Sequence, residues 1–260
     1  MELNSLPKLV RFCYGDYIEF PMLRKLRMYW CLKFTTFVSK FMIGDEPQVD
    51  PNILRNNSNV DDDLCLFNDK VAFPMLQKLQ LNFIGDDKWM NIWHDKLTSN
   101  SFGELKYLEL EFCSVWSIFP FSIVDRLKKL ETMDISYCSK LESIIEPCRL
   151  DQSNESSTKF VFPQVSYLRL DSLRKLKSFY PRMHITQWPS LKELRVTKCN
   201  NVKIFTLNNL INSQLEIPAD EQPLFWFSED AFPCLEELYT DQDDAEEIFE
   251  LAKYQESTIN

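Results

Sequence analysis

The stretch WPSLKELRVTKCNNVKIF, from Trp188 to Phe205, places apolar residues at Leu191, Leu194, Val196, Cys199, Val202 and Phe205. They stand at gaps of three, two, three, three and three. A helix repeats at three and four and a long strand at two, so neither carries this pattern alone. The spacing returns along the chain. FPMLRKLRMYWCLKFTTF sets Leu23, Leu26, Met28, Cys31, Phe34 and Phe37 in the same register. FGELKYLELEFCSVWSIF gives Leu105, Leu108, Leu110, Cys113, Trp116 and Phe119, and LKKLETMDISYCSKLESI gives Leu130, Met133, Ile135, Cys138, Leu141 and Ile144. FPQVSYLRLDSLRKLKSF gives Val165, Leu168, Leu170, Leu173, Leu176 and Phe179. FPMLQKLQLNFIGDDKWM follows through Leu76, Leu79, Leu81 and Ile84, then drifts. FPCLEELYTDQDD follows through Leu235 and Leu238 and loses the pattern at Thr240 and Asp243.

The shared form, LxxLxLxx(C/L)xxLxxF, is a leucine-rich repeat of irregular length. The LxL pair points two side chains inward from a short strand. The next apolar residue turns the chain beneath it, and LxxF carries the return across the back. No coil of this kind buries its own apolar face, so neighbours must stack. The expected fold class is α/β, an irregular leucine-rich-repeat solenoid. It is a curved horseshoe with a parallel β-sheet on its concave face, and loops and short helices on the convex side. Phe-Pro before several strands suits a sharp turn into extended backbone.

Residues 1–260 form a single array in this reading, with polar insertions near 38–70, 146–159 and 206–230 expected as loops. The array starts mid-repeat: MELNSLPKLVRF matches LRLDSLRKLKSF, with Leu3 at the place of Leu170 and Leu6 at that of Leu173. A first coil without a polar cap implies an ancestor or natural protein continuing upstream.

Composition removes several functions. Four glycines and no GxGxxG or GxxxxGK[ST] leave no phosphate cradle. A net charge of −10 and a pI near 4.9 argue against nucleic acid and anionic membrane as partners. No run approaches the ~20 apolar residues of a membrane span. The eight cysteines are scattered without a CxxC pair, which fits reduced thiols in a cytosolic protein. Sequons at Asn56 and Asn154 carry little weight without a signal peptide.

Candidate chemistry is sparse. Cys31, Cys113, Cys138 and Cys199 share one repeat position, where a small buried hydrophobe with a weak donor suits a tight turn better than a metal does. His94 and His184, the only histidines, lie in different repeats without ligand spacing or a nucleophilic partner, so no enzyme is expected. Function instead falls on the outward side of the strands. That side holds Lys25, Arg27 and Tyr29, then Lys78, Gln80 and Asn82, then Tyr107, Glu109 and Glu111. Thr132, Asp134 and Ser136 follow, then Tyr167, Arg169 and Asp171, then Glu193, Arg195 and Thr197. The row begins basic, turns acidic and ends mixed, which favours a specific protein partner over a generic polyanion. Trp30, Phe83, Phe112 and Tyr137 precede the turn position, and the pattern leaves open whether they are rim contacts or packing.

Three longer phrases carry a family resemblance: LFNDKVAFPMLQKLQL, FPQVSYLRLDSLRKLKSFYPRMHITQWPSLKELRVTKC and EQPLFWFSEDAFPCLEELY. They resemble the C-terminal leucine-rich repeats of coiled-coil-type, nucleotide-binding plant disease resistance proteins, the kind found in woody dicots. The resemblance implies a cytoplasmic recognition module in plant innate immunity. Its expected partners are a pathogen effector, a guarded host protein or the receptor's own nucleotide-binding module. ADP or ATP would bind only in an upstream module that this sequence does not contain, so no cofactor is expected here. Another reading of the same array is a free-standing cytosolic repeat scaffold or a ubiquitin-ligase-type adaptor.

Overall fold

The computed structural model describes residues 1–39, 65–84, 91–94, 96–146, 158–207, 222–227 and 231–241. Its main element is a parallel eight-stranded sheet in strict chain order. The strands are Glu2–Asn4, Lys25–Cys31, Lys78–Ile84, Tyr107–Glu111, Thr132–Ser136, Tyr167–Asp171, Glu193–Thr197 and Glu237–Thr240. Successive strands pair without slippage: Leu3, Met28, Leu81, Leu110, Ile135, Leu170, Val196 and Thr240 form one column. Pairing therefore continues through the coil whose sequence pattern decays, although Leu238 is left 36% exposed. Every LxL leucine between Leu79 and Leu194 is buried, as the alternation requires.

The gaps of three have a local cause. Before the inner strands the chain closes i→i+3 turns, as in Leu23 N–H to Phe20 O (3.2 Å), Leu76 to Phe73 (3.3 Å) and Leu235 to Phe232 (3.3 Å). Pro21, Pro74 and Pro233 occupy the second position of those turns, where a preset φ is wanted. A second turn follows several of the strands, with Phe34 N–H to Cys31 O (3.0 Å), Leu141 to Cys138 (3.1 Å), Leu176 to Leu173 (3.1 Å) and Val202 to Cys199 (3.3 Å). After Tyr107–Glu111 no such turn closes, and Trp116, in register with the core positions by sequence, is exposed. Each turn brings its first and fourth residues to the same side, so both must be apolar to face the core.

The back of the array differs from the expected loops and short helices. Among the described residues the only helix is one turn, Phe121–Val124. Short parallel strand pairs take the remaining space, such as Arg11–Tyr14 with Thr36–Ser39, Cys65–Phe67 with Asn91–Trp93, and Ser117–Pro120 with Ser143–Glu146. Thr158–Val161 pairs with His184–Gln187, and Phe205–Leu207 with Phe225–Phe227. Large aromatics explain this choice. Phe37, Phe67, Phe73, Phe102, Trp93 and Phe119 pack with centroids 5.0–6.1 Å apart. A second group joins Phe162, Phe179, Trp188 and Phe225. Rings of that size fit an extended backbone and leave little room for a helix diameter.

The insertions named from the sequence fall largely outside the described residues, at 40–64, 147–157 and 208–221. Their described margins include the buried strands Thr36–Ser39 and Cys65–Phe67.

Candidate functional site

Alternation sends three side chains per coil outward, and the in-register pairing aligns them into columns. The first column runs Lys25, Lys78, Tyr107, Thr132, Tyr167 and Glu193; the second Arg27, Gln80, Glu109, Asp134, Arg169 and Arg195; the third Tyr29, Asn82, Glu111, Ser136, Asp171 and Thr197. The structure thus brings the residues singled out from the sequence onto one side of one sheet. Their exposure is unequal. Gln80, Ser136 and Asp171 are buried, at 8%, 3% and 5%, and this corrects the expectation that they lie open to solvent. For Gln80 and Asp171 the cause is cross-coil bonding, which no single repeat reveals.

Gln80 bridges its neighbours, accepting from Arg27 Nε (2.9 Å) and donating to Glu109 Oε2 (2.8 Å). Asp171 accepts from Arg169 (2.8 Å), from the Ser172 hydroxyl (3.2 Å) and from the Thr197 hydroxyl (2.8 Å). Cations lie over rings at two places along the row: Lys78 Nζ is 3.6 Å from the Tyr107 centroid, and the Arg195 guanidinium 4.0 Å from that of Tyr239.

The middle of the face is short of positive charge. Glu109 takes neutral donors, Gln80 and the Tyr107 hydroxyl (2.7 Å), and Glu111 takes Asn82. Asp134 faces Arg169 at 3.5 Å, but that guanidinium also serves Asp171. Asp134 Oδ1 is buried without a hydrogen-bond partner among the described residues. Burial pushes the Glu111 carboxyl above its ordinary range, and Glu109 and Asp134 add to it. Burial raises Asp134 as well, with Arg169 pulling the other way. Tyr107 is raised by burial and then by Glu109.

A fourth column lies at the carboxyl ends of the strands: Ser5, Trp30, Phe83, Phe112, Tyr137, Ser172 and Lys198. Each has a left-handed backbone, with φ between 50° and 58°. The amide of this residue still reaches the next coil, as in Phe112 N–H to Ser136 O (3.2 Å) and Tyr137 N–H to Asp171 O (3.0 Å). The four aromatics stack in order, with centroids 3.9, 4.2 and 4.8 Å apart and interplanar angles of 10–12°. Trp30, Phe112 and Tyr137 remain exposed. Periodicity named these residues but not their conformation. The signal available was the register itself, which aligns them with Ser5, Ser172 and Lys198.

The cysteine column follows. All four thiols are buried and donate to two carbonyls, one two residues earlier and one in the preceding coil. Cys113 reaches Leu81 O (3.5 Å) and Glu111 O (3.6 Å), and Cys199 reaches Leu170 O (3.7 Å) and Thr197 O (3.4 Å). Cys31 and Cys138 do the same. His184 is buried against Phe160, Phe179 and Tyr180, with burial lowering its pKa. His94, half-buried elsewhere, accepts the Lys96 amide at 3.0 Å. Among the described residues no group of three His, Cys, Asp or Glu is placed to hold a metal, and no helix is long and apolar enough to cross a membrane.

A parallel sheet built one strand per repeat, in strict chain order and with its LxL leucines inward, defines a leucine-rich-repeat solenoid. Residues 76–215, more than half of the chain, match the model of the leucine-rich repeats of plant disease resistance protein RPS2-like proteins. The chain belongs to that family. No curated protein and no solved structure gives a significant match.

Proposed function

We propose that this chain is a non-catalytic, cytoplasmic protein-recognition module of a plant disease resistance receptor. Its concave sheet engages a pathogen effector, a guarded host protein or the receptor's own nucleotide-binding module. The observation that carries the reading is the outward face itself. Charged and tyrosine side chains stand in register over eight strands, with sign changing along the row. Such a face suits one complementary protein surface, because like charges juxtaposed with a wrong partner cost several kcal/mol. Nucleotide binding and switching belong to a separate module in this reading.

The test is a charge reversal read in plant cells. The full chain, fused to a proximity-labelling enzyme, is compared with Glu109→Lys/Glu111→Lys/Asp134→Lys and with a reversal on the back, Lys128→Glu/Lys159→Glu. A set of neighbours lost only on reversal of the sheet face is expected. Identical neighbours for all three proteins would remove the sheet from consideration.

A further inference from the structure

The fold imposes a left-handed backbone on one residue at the carboxyl end of each inner strand from Glu2–Asn4 to Glu193–Thr197, whatever its side chain. Non-glycine residues pay for that conformation, and bulky ones are outliers there. Ser5, Ser172 and Lys198 are unremarkable occupants. Trp30, Phe83, Phe112 and Tyr137 are not, and the last three are set in adjacent coils with Trp30 next to them. The pitch of the sheet, about 4.8 Å, is close to the stacking distance of rings, so the four side chains form one continuous strip roughly 14 Å long. Stacking covers their faces but not their outer edges: Trp30, Phe112 and Tyr137 stay 49%, 38% and 39% exposed.

Both ends of the strip are open as well. Ser5 Oγ turns to Asn4 Oδ1 (2.9 Å) and Ser172 Oγ to Asp171 Oδ1 (3.2 Å), so the short flanking side chains are directed at the sheet. The outward ring faces of Trp30 and Tyr137 are thereby left for a cation to cover. Beside the strip, Glu111 directly precedes Phe112, and Glu109 and Asp134 lie one column further in. Glu109 and Glu111 are bonded only by neutral donors, Asp134 shares Arg169 with Asp171, and one oxygen of Asp134 is buried without a partner among the described residues.

We propose that this edge of the sheet is the docking strip for an extended basic segment of a protein partner, in which arginine or lysine alternates with apolar side chains. The proposal rests on the protein-recognition reading above and names the chemistry of what is recognised. Apolar side chains lie along the ring edges. The alternate cations reach the Glu109, Glu111 and Asp134 carboxylates and the open face of Tyr137. An extended chain places such alternation on opposite sides at every residue. A strip of roughly 14 Å takes about four residues.

The probe is a fluorescein-labelled heptapeptide alternating arginine and leucine, titrated into the purified chain by anisotropy, with a glutamate–leucine heptapeptide as counterpart. Phe112→Ser/Tyr137→Ser replaces two rungs by the residue the array itself carries at the same position in Ser172. Saturable binding of the basic peptide is expected, at least tenfold weaker on the double serine variant and weaker on Glu109→Gln/Glu111→Gln, with no binding of the acidic peptide. Hydrogen exchange on the unmodified chain supplies a readout that needs no variant: protection by the basic peptide should centre on residues 111–112 and 136–137. Absence of saturable binding, or protection elsewhere, overturns the proposal. Binding unchanged by the serine variant and weakened only by the glutamine changes would reduce it to general attraction for a polyanionic surface, and would equally overturn it. Either failure leaves the proximity-labelling result on the concave face untouched, so the two readings fall separately.

Discussion

At the scale of the residue, backbone conformation and burial decide more than side-chain chemistry. Lys198 sits at φ 54° with its side chain exposed, and its amide donates to Asp241 Oδ2 at 2.6 Å. Glycine adopts that backbone without the Cβ penalty, so Lys198→Gly should raise stability by about 1 kcal/mol in urea unfolding. A loss would mean the lysine stem packs on the adjacent turn. The thiols make a second residue-scale prediction. Burial raises the Cys31 thiol, and Cys113 is raised by its hydrogen bond to Cys138 and by burial. Iodoacetamide at neutral pH should therefore label the exposed Cys234 first among the described cysteines, and leave Cys31, Cys113, Cys138 and Cys199 slow until the chain unfolds. Rapid labelling of any of those four in the folded protein would contradict their place as carbonyl-bonded turn residues. The cysteine column was legible in the sequence because its position is fixed relative to LxL. The left-handed residue before it was not, since serine, lysine, tryptophan and tyrosine share no chemistry that announces a common φ.

At the scale of the element, the inner strands follow the alternation and several of the back strands do not. Leu108 and Leu110, or Leu168 and Leu170, alternate with polar residues and so declare a half-buried strand. The strand Ser117–Pro120 is buried at every residue, and a three- or four-residue apolar run has no period to read. Exposure on the sheet was legible only to first order for the same reason. Gln80 and Asp171 are covered by partners from coils 26 to 53 residues away in sequence. The Asp171 carboxylate serves Arg169, Ser172 and Thr197, so Asp171→Ala should cost ~1–3 kcal/mol by stranding those donors. Asp171→Asn, which keeps an acceptor, should cost less, and equal losses would assign the effect to packing. Glu111 behaves oppositely. A carboxyl whose folded-state pKa is raised contributes its stability below the unfolded pKa and loses it as pH rises through the folded one. Its charge therefore weighs against the fold near neutrality. Glu111→Gln should melt at or above the parent near pH 7, with the difference fading as the solution is acidified to about pH 4. A variant that melts lower at neutral pH would show that the Asn82 bond to the charged carboxylate outweighs the repulsion.

At the scale of the molecule, the array behaves as a row of neighbours. Inner strands bond only to the strands on either side, and the turn amides do likewise, as with Tyr167 N–H to Glu131 O and Glu193 N–H to Ser166 O. Exposed ion pairs between coils, Lys106 with Glu131 and Lys192 with Glu236, add little to this. Leu194 is fully buried and paired with Leu168 and Leu238, so Leu194→Ala should cost ~2–5 kcal/mol. In a stacked array that loss should appear in hydrogen exchange at the coils of Tyr167–Asp171 and Glu237–Thr240, while the coil of Lys78–Ile84 keeps its protection. Uniform loss of protection across all coils would show a single cooperative unit instead.

The in-register pairing has a consequence for how such a surface changes over generations. Because outward side chains stand in columns of fixed pitch, one substitution changes one position of the outer face and leaves the leucines beneath it alone. On the recognition reading proposed above, a lineage pressed by a changing adversary can revise its vocabulary letter by letter, without having to reinvent the page on which it is written.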